Sequence, residues 1–498
     1  MITWGWAGMS HDASLAVFSE DGLEFAAHSE RYSRIKNDKN MHLKLIDEAL
    51  ENYGRPDKIY FYEKPLLKKS RQLYAKQYDL LAKRRPSKYL RDAAFDWGLP
   101  RSIPVNHHLS HAAAGYYTSP YTDAAVLVID SIGEWDTLSI WKGTSGRLQR
   151  VHTQRYPHSV GIWYSAMTQR IGLKPQEHEY ILMGMAAIGD PVKYYDEIKT
   201  DFIQKMPTSD DPRLLFKRNC HRGCVDWRTD LNSVQDYADI AAATQKIYEE
   251  IFETYLTITC ELTNSKNVVI MGGCALNCVA NTLAFKYFDD VWIMPNPGDA
   301  GSAIGCVLAR EKKFIEFDHA FLGHDIQGEY PVGQIVSELI NKKITAVAAG
   351  RAEFGPRALG HRSILADPRG DDVKDRVNEI KQREAFRPFA PMILEELAHD
   401  YFDMPQKLTS SPFMQFVVKC KHPDQFPAIV HYDNTSRIQT VNKDAGSIRT
   451  LLENWHKETG CPMLLNTSLN IKGEPLVNTR QDALRWQEKY GVKVCLPE

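Results

Sequence analysis

The chain has 498 residues, 43% of them hydrophobic and 25% charged, with a formal net charge of −2 at pH 7. That length calls for two or three domains, and the near-neutral charge gives no global attraction to nucleic acid or to a membrane surface. No apolar run reaches membrane-spanning length, the start MITWGWAGMSHDAS lacks the regions of a signal peptide, and nine scattered cysteines suit a reducing cytoplasm better than a disulfide framework.

In chain order, ASLAVFS (13–19), the turn EDG and LEFAAHS (23–29) predict a hairpin. IYFYE (59–63) and AAVLVID (124–130) read as buried strands. Between them, residues 64–101 carry eleven Lys and Arg against three Asp and predict a helical pair. With Tyr74, Tyr78, Tyr89 and Trp97 interleaved, that stretch is either a solvated helix face or a grip for a polyanion. A second hairpin is predicted over 137–153 around TSG, and a long helix over 232–263. NVVIMGG (267–273) and DVWIMP (290–295) return to strand and turn. The texture changes after about 325: EYPVGQIVSELINKK is helical, ITAVAAG is a strand, and Arg, Pro and Phe crowd 351–391. A boundary between residues 325 and 326 follows, and no internal repeat is visible.

Alternating strands and helices predict an α/β architecture. Several strands run into Gly/Asp turns (VIDSIGE, IMGGC, PNPGDAGS), where phosphate approaches backbone amides in nucleotide-binding α/β folds. Neither GGCAL nor GDAGSAIG is a Walker A loop, since no Gly-Lys-Ser/Thr follows.

NHHLSHAAAGYY (106–117) sets three histidines within five positions. On a helix His107 and His111, at i and i+4, share a face, whereas His108 points about 100° away from His107. The absence of a glutamate after the first histidine excludes a zinc-protease helix. Further ligands must come from elsewhere: Asp130 ends an apolar strand and Asp299 lies in PNPGDAGS. Two nitrogens and carboxylate oxygens suit iron, manganese or zinc; the alternative is a surface helix with a histidine pair. CHRGC (220–224) has no second Cys/His pair nearby and reads as a loop.

The chain resembles the O-carbamoyltransferases of antibiotic and nodulation-factor biosynthesis, the tobramycin, cephamycin and NodU type. The likeness runs through HDAS (11–14), SERYSRIK (29–36), HHLSHAAAGYY, IDSIGEWDT (129–137), EYILMGMAAIGDP (179–191), GGCALNCVAN (272–281), NPGDAGSAIG (296–305), GRAEFGPRALGHRSILADPR (350–369), IKQREAFRPFAPMI (380–393), SRIQTV (436–441) and LLNTSLNIKGEPLV (464–477). It implies an actin-like, sugar-kinase-like domain over 1–325, followed by an α+β YrdC-like domain over 326–498. The second would make carbamoyl-adenylate from carbamoyl phosphate and ATP, releasing pyrophosphate. The first would transfer the carbamoyl group to an acceptor hydroxyl. A sugar or natural product is the family default, with a hydroxymethylated pyrimidine in DNA or a nucleotide as the alternative. Competing readings are a threonylcarbamoyl-type tRNA-modifying enzyme and a non-catalytic actin-like nucleotide-binding module.

Under that resemblance His107, His111, Asp130 and Asp299 hold the metal, with iron the expected ion and Mg2+ accompanying ATP. His11 is the general base, because imidazole titrates near working pH, and Lys36 neutralises phosphate or orients the carbamoyl group. Gly272, Gly273, Gly298 and Asn277 meet the nucleotide. Gathering phosphate and carboxylate charge needs Arg and Lys, and the second domain supplies Arg351, Arg357, Arg362, Lys381, Arg383, Arg387 and Arg437, with Ser468 and Asn470 as a small polar pair. One departure stands out: Ile181 occupies a position where the family commonly carries a lysine.

Overall fold

Two five-stranded sheets of one plan form the first part of the chain, in a computed structural model that describes residues 1–78, 90, 98–384 and 386–498. In the first sheet β1 (Thr3–Ala7), β2 (Ser14–Phe18), β3 (Leu23–His28), β4 (Lys58–Phe61) and β5 (Ser102–Pro104) lie in the order β3-β2-β1-β4-β5. The β1–β2 and β2–β3 pairs are antiparallel, and β1–β4 and β4–β5 are parallel. β6 (Asp123–Gly133), β7 (Asp136–Thr144) and β8 (Arg147–Arg155) open the second sheet, and β9 (Ile203–Lys205) pairs with β10 (Leu215–Phe216) in a separate ribbon. β11 (Asn267–Met271) and β12 (Asp290–Trp292) complete the second sheet in the order β12-β11-β6-β7-β8. Its first three strands are again antiparallel, and β6–β11 and β11–β12 parallel. This duplicated plan is the α/β, actin-like architecture expected, although no repeat marks it in the sequence.

Local chemistry explains the elements. β1 and β2 are buried at every position, which is why they read as apolar runs rather than alternating ones. β7 and β8 are joined by Ser145 and Gly146, both at positive φ, the conformation a two-residue hairpin turn demands. The long helix spans Val234–Thr263 and begins with a capping box between Ser233 and Asp236. Of the helical pair predicted over the basic stretch, Pro65–Tyr74 is a helix; Tyr89 and Trp97 lie outside the described residues.

One helix follows the last strand of each sheet, His107–Thr118 after β5 and Ser302–Glu311 after β12. They pack backbone to backbone: a Cβ added to Gly305 would come within 1.8 Å of the Ser110 carbonyl oxygen. On the other face of the His107–Thr118 helix, a Cβ at Gly115 would lie 2.4 Å from Val269 of β11. Small residues thus seat the histidine helix against the sheet.

The second unit comprises His319–Glu498 together with Glu30–Lys36. The boundary falls at Asp318/His319 rather than at 325/326, because strand Phe321–Ile326 pairs antiparallel with Gly350–Glu353. A linear boundary also misses the Glu30–Lys36 segment. Within this unit Arg31 Nη2 donates to the Gly355 carbonyl at 2.9 Å, and Arg34 donates to the carbonyls of Leu476 and Pro475. Its six-stranded mixed sheet runs Gln439–Val441, Ala390–Leu394, Met463–Ser468, Arg362–Ala366, Ile344–Ala348, Val494–Cys495. Helices Val332–Lys342, Val373–Lys381, Gly446–Thr459 and Arg480–Tyr490 complete an α+β unit. Among the described residues, no helix is long and apolar enough to cross a membrane.

Candidate active site

The His107–Thr118 helix starts at Asn106, whose side chain accepts from the Leu109 amide at 3.1 Å. The turn between β6 and β7 closes over this start: Glu134 accepts from the amides of His107 (3.2 Å) and Lys64 (2.6 Å) and from Asn106 Nδ2 (2.6 Å). So anchored, the first turn aims His107 and His111 at the end of β6 and at the turn before the Ser302–Glu311 helix. Donor atoms of His107, His111, Asp130 and Asp299 lie within 4.8 Å of one another. The two Nε2 atoms are 3.1 Å apart. Asp299 Oδ1 lies 3.3 Å from each, and Asp130 Oδ2 3.3 Å from that of His107. Behind the ring, His111 Nδ1 meets Ser302 Oγ at 3.2 Å. His108 turns away, as its helical angle requires, and its Nδ1 meets Ser139 Oγ at 2.8 Å.

This donor set fits a divalent metal. Ligand bonds of about 2.1 Å place neighbouring ligand atoms roughly 3.0–3.4 Å apart around one ion; the two Nε2 atoms and the three imidazole–carboxylate contacts at 3.3 Å meet that spacing, within a group that spans 4.8 Å. The electrostatics point the same way. Burial disfavours charge on His107, yet the charge of Asp299 and hydrogen bonding to Asp130 and Asp299 hold its imidazole well above the usual range. Burial likewise opposes ionisation of Asp299, and the charge of His107 overrides it, holding the carboxyl well below its usual range. A buried carboxylate, Asp130, and a half-buried one, Asp299, therefore recruit a proton as counter-charge, a role that a divalent cation fills better.

Gly133 makes the cage tight. A Cβ there would fall 2.1 Å from His107 Cδ2, so the imidazole has to move to accommodate any side chain. Gly133→Ala is expected to weaken metal binding by at least about tenfold and to cost about 1–3 kcal/mol of stability. Titration calorimetry with the divalent ion and urea unfolding check the two effects separately.

His11 lies in the β1–β2 turn, the counterpart in the first sheet of the turn holding Glu134. Its Nδ1 is 3.0 Å from Asp12 Oδ2 and its Nε2 3.1 Å from the Gln176 carbonyl. Two acceptors make both nitrogens donors, the pattern of an imidazolium. Burial opposes that charge, but the Asp12 hydrogen bond and charge, with Asp299 beyond, raise the ring to about 9. The expected base is thus a protonated donor in this arrangement.

The nucleotide positions differ among themselves. The Gly273 amide faces Asp130 Oδ1 at 3.3 Å. Gly272 takes a φ of 90°, where a Cβ would collide with the Ile129 carbonyl, and Gly298 has open space around it. Asn277 exchanges amide hydrogen bonds with Gln245 (2.9 and 3.1 Å) and caps the following helix, so its side chain serves the fold. Ile181 is buried. The CHRGC thiols donate to the carbonyls of Arg218 and Ala166 and join no metal-ligand group among the described residues.

In the second unit Lys381 ends the Val373–Lys381 helix and reaches Ser468 Oγ at 2.9 Å and Asn470 Oδ1 at 2.6 Å. Burial pushes this lysine well down, assisted by the charges of Arg383, Arg387 and Lys36. Lys36, expected beside the transfer chemistry, instead sits in this unit with Nζ 3.2 Å from Glu30 Oε1. Arg383 stacks over the Phe389 ring at 3.9 Å and donates to Asn378; Arg387 faces Glu384 at 3.5 Å. Arg357 is half-buried. Arg437 is half-buried too, on strand Thr435–Arg437, and its buried Nε has no hydrogen-bond partner among the described residues. Two arginines are corrected. Arg362 is fully buried and binds the carbonyls of Asn478, Ala349, Gly350, His361 and His324, so it braces the fold. Arg351 donates to the Leu322 carbonyl at 2.6 Å and braces its own strand's partner.

Sequence reasoning missed Glu63, Glu134, Gly133 and Ser302. Glu63 follows β4 as Asp130 closes the apolar run of β6, so the signal that found Asp130 applies to it as well. Glu134 carries no such signal, because its role depends on a turn folding over another helix.

Family models described as carbamoyltransferase N-terminus and carbamoyltransferase C-terminus match residues 98–308 and 336–496. The chain is 31% identical to the uncharacterized protein sll1178 of Synechocystis sp., over 97% of this chain and 93% of that protein. It is 30% identical to the nodulation protein NolNO of Sinorhizobium fredii, over 95% of this chain and 76% of that one. Among solved structures, HypF of T. kodakarensis aligns with a TM-score of 0.35 and 12% identity, over 61% of this chain and 46% of that chain.

Proposed function

The chain belongs to the carbamoyltransferase family, and from that premise we propose that it forms carbamoyl-adenylate in the second unit and transfers the carbamoyl group to an acceptor hydroxyl in the first. Carbamoyl phosphate, ATP and one water are consumed in the first step: water releases phosphate from carbamoyl phosphate, an oxygen of the resulting carbamate takes the adenylyl group of ATP, and pyrophosphate leaves; AMP leaves in the second. The observation that carries the reading is the convergence of both imidazole Nε2 atoms and two carboxylates on one point.

In the second unit Lys381, Ser468 and Asn470 form the donor and acceptor group that orients carbamoyl phosphate. Lys36, Arg383 and Arg387 surround it with positive charge, and an arriving anion restores the proton that burial discourages on Lys381. In the first unit His107, His111, Asp130 and Asp299 would hold a divalent metal. When bound, that ion supplies a Lewis acid for negative charge developing on the carbamoyl and adenylate oxygens. The donor chemistry suits iron, manganese and zinc alike. His11 takes the hydroxyl proton once its Nε2 leaves the Gln176 carbonyl, with Asp12 holding Nδ1. Neutralising Asp299 removes one of the charges that keep this ring protonated.

The test is incubation with ATP, carbamoyl phosphate and a panel of acceptors (aminoglycosides, chitooligosaccharides, hydroxymethylated nucleosides and DNA), read by mass for an adduct of about 43 Da, one HNCO unit. Pyrophosphate release that depends on carbamoyl phosphate supports the reading. Release that depends instead on threonine and bicarbonate overturns it in favour of threonylcarbamoyl chemistry.

A further inference from the structure

Two of the candidate ligands, His107 and Asp299, are held from behind by groups that lie outside the motifs carrying the family likeness. His107 offers Nε2 to the cluster, and its other nitrogen, Nδ1, is buried with no hydrogen-bond partner among the described residues. The acidic group facing that nitrogen is Glu63, with Oε2 at 3.8 Å and its side chain 5% exposed. Glu63 is clamped by Lys68, whose Nζ donates to Oε1 at 2.7 Å and to Oε2 at 2.9 Å. The same ammonium donates to Ser10 Oγ, which lies 3.1 Å from the Tyr62 hydroxyl. Tyr62 in turn donates to Asp299 Oδ2 at 3.4 Å, the oxygen of that carboxylate turned away from the imidazoles. These contacts close a circuit, His107–Glu63–Lys68–Ser10–Tyr62–Asp299, that grips one imidazole and one carboxylate ligand from the outside.

We propose that Glu63 is a positioning residue that places the proton of His107 on Nδ1 and so frees Nε2 as a metal ligand, with Lys68 and Tyr62 holding Glu63 and Asp299 in register. A neutral imidazole carries one proton, and a ligand nitrogen must be the one without it. A carboxylate opposite Nδ1 favours that tautomer, fixes the ring plane and increases the electron donation of Nε2. At 3.8 Å the Nδ1–Glu63 contact is long for a hydrogen bond, and a small rotation of either side chain brings it into range. Lys68, donating to both oxygens of Glu63, holds the carboxylate in place opposite Nδ1. The Tyr62 donor complements it: a bond to Oδ2 leaves Oδ1 facing both Nε2 atoms.

The inference rests on the metal reading of the cluster, and the experiment separates the two. The full-length chain is stripped of metal and titrated with Zn2+ and Co2+ by calorimetry, and the Co2+ form is followed by its ligand-field absorption. Four proteins are compared: the parent, Glu63→Gln, Glu63→Asp, and the His107→Ala/His111→Ala double variant. Glu63→Gln keeps the size and one of the two bonds accepted from Lys68 but loses the charge. It is expected to weaken metal binding roughly 10–100-fold and to alter the Co2+ spectrum, while Glu63→Asp recovers part of the affinity. Unfolding of the metal-free proteins monitors the fold; a purely structural role would lower stability without changing the Co2+ spectrum. Affinity and spectrum of Glu63→Gln equal to those of the parent overturn the positioning role and leave the metal reading standing. A parent that binds no more tightly than the double variant overturns both.

Discussion

Replacing His107 and His111 together by alanine is expected to abolish carbamoyl transfer while pyrophosphate release continues. The donor atoms at risk are the two Nε2 atoms 3.1 Å apart, and without them buried Asp130 and half-buried Asp299 remain as two carboxylates with no nitrogen ligand. A site of two carboxylates binds the ion far more weakly, and the charge developing on the transferred group loses its stabilisation. The loss from a single missing oxyanion donor is roughly 10²–10³-fold, so transfer should fall by about 10³-fold or more. On the proposed reading adenylate formation uses groups of the other unit, so pyrophosphate release should stay within about threefold of the parent, to the extent that catalytic groups acting apart are additive. Parallel assays of adduct and of pyrophosphate read the two halves. Equal loss of both would show that the histidines support the whole fold or the first step.

The converse variant is Lys381→Ala. Its ammonium reaches Ser468 Oγ at 2.9 Å and Asn470 Oδ1 at 2.6 Å in a buried position. On the proposed reading, removing it takes away a charge-assisted donor to the phosphate-bearing substrate, and it leaves the Ser468 hydroxyl and the Asn470 Oδ1 that accepts from it at 2.7 Å without their cation. Pyrophosphate release is expected to fall roughly 10²–10³-fold, with metal affinity unchanged. A pH signature goes with it. Burial first, then the neighbouring Arg383, Arg387 and Lys36, hold the ligand-free lysine well below its usual range. A bound anion reverses that depression, so binding takes up a proton, and affinity rises as pH falls through the window between the lowered ligand-free value and the restored bound one. Calorimetry of carbamoyl phosphate binding in buffers of different ionisation enthalpy measures that uptake, which Lys381→Ala should lose.

The elements that local pattern governs were legible in the sequence: both hairpins, the buried strands, the long capped helix. The convergence of His107, His111, Asp130 and Asp299 was legible as well, because i and i+4 spacing on a helix and carboxylates at strand ends are local signals. What escaped depends on distant residues meeting. The duplicated sheet plan leaves no repeat, since the two sheets share strand order and not side chains. Arg362 looks like a substrate-binding arginine beside FGPRALG and instead braces five carbonyls, because charge density says nothing about whether acceptors are substrate or backbone. Lys36 and His11 were assigned by motif; the first lies in the other unit, and the second has both nitrogens already engaged. Glu63 shows the opposite failure, since a rule applied to Asp130 was available and was not applied to the strand before it.

The segment Glu30–Lys36 changes how this protein should be taken apart. A fragment beginning at residue 319 looks like a self-contained domain by sequence order, yet it would lack seven residues of its own unit. Among them are Arg31 and Arg34, whose guanidinium groups satisfy the carbonyls of Gly355, Leu476 and Pro475. Truncation would strand those acceptors and remove Lys36 from the cations around Lys381. The two proposed activities are therefore to be separated by point substitution and not by scissors: dissecting them calls for single-residue knockouts in the intact chain, or for a circularly permuted half that carries residues 30–36 with it.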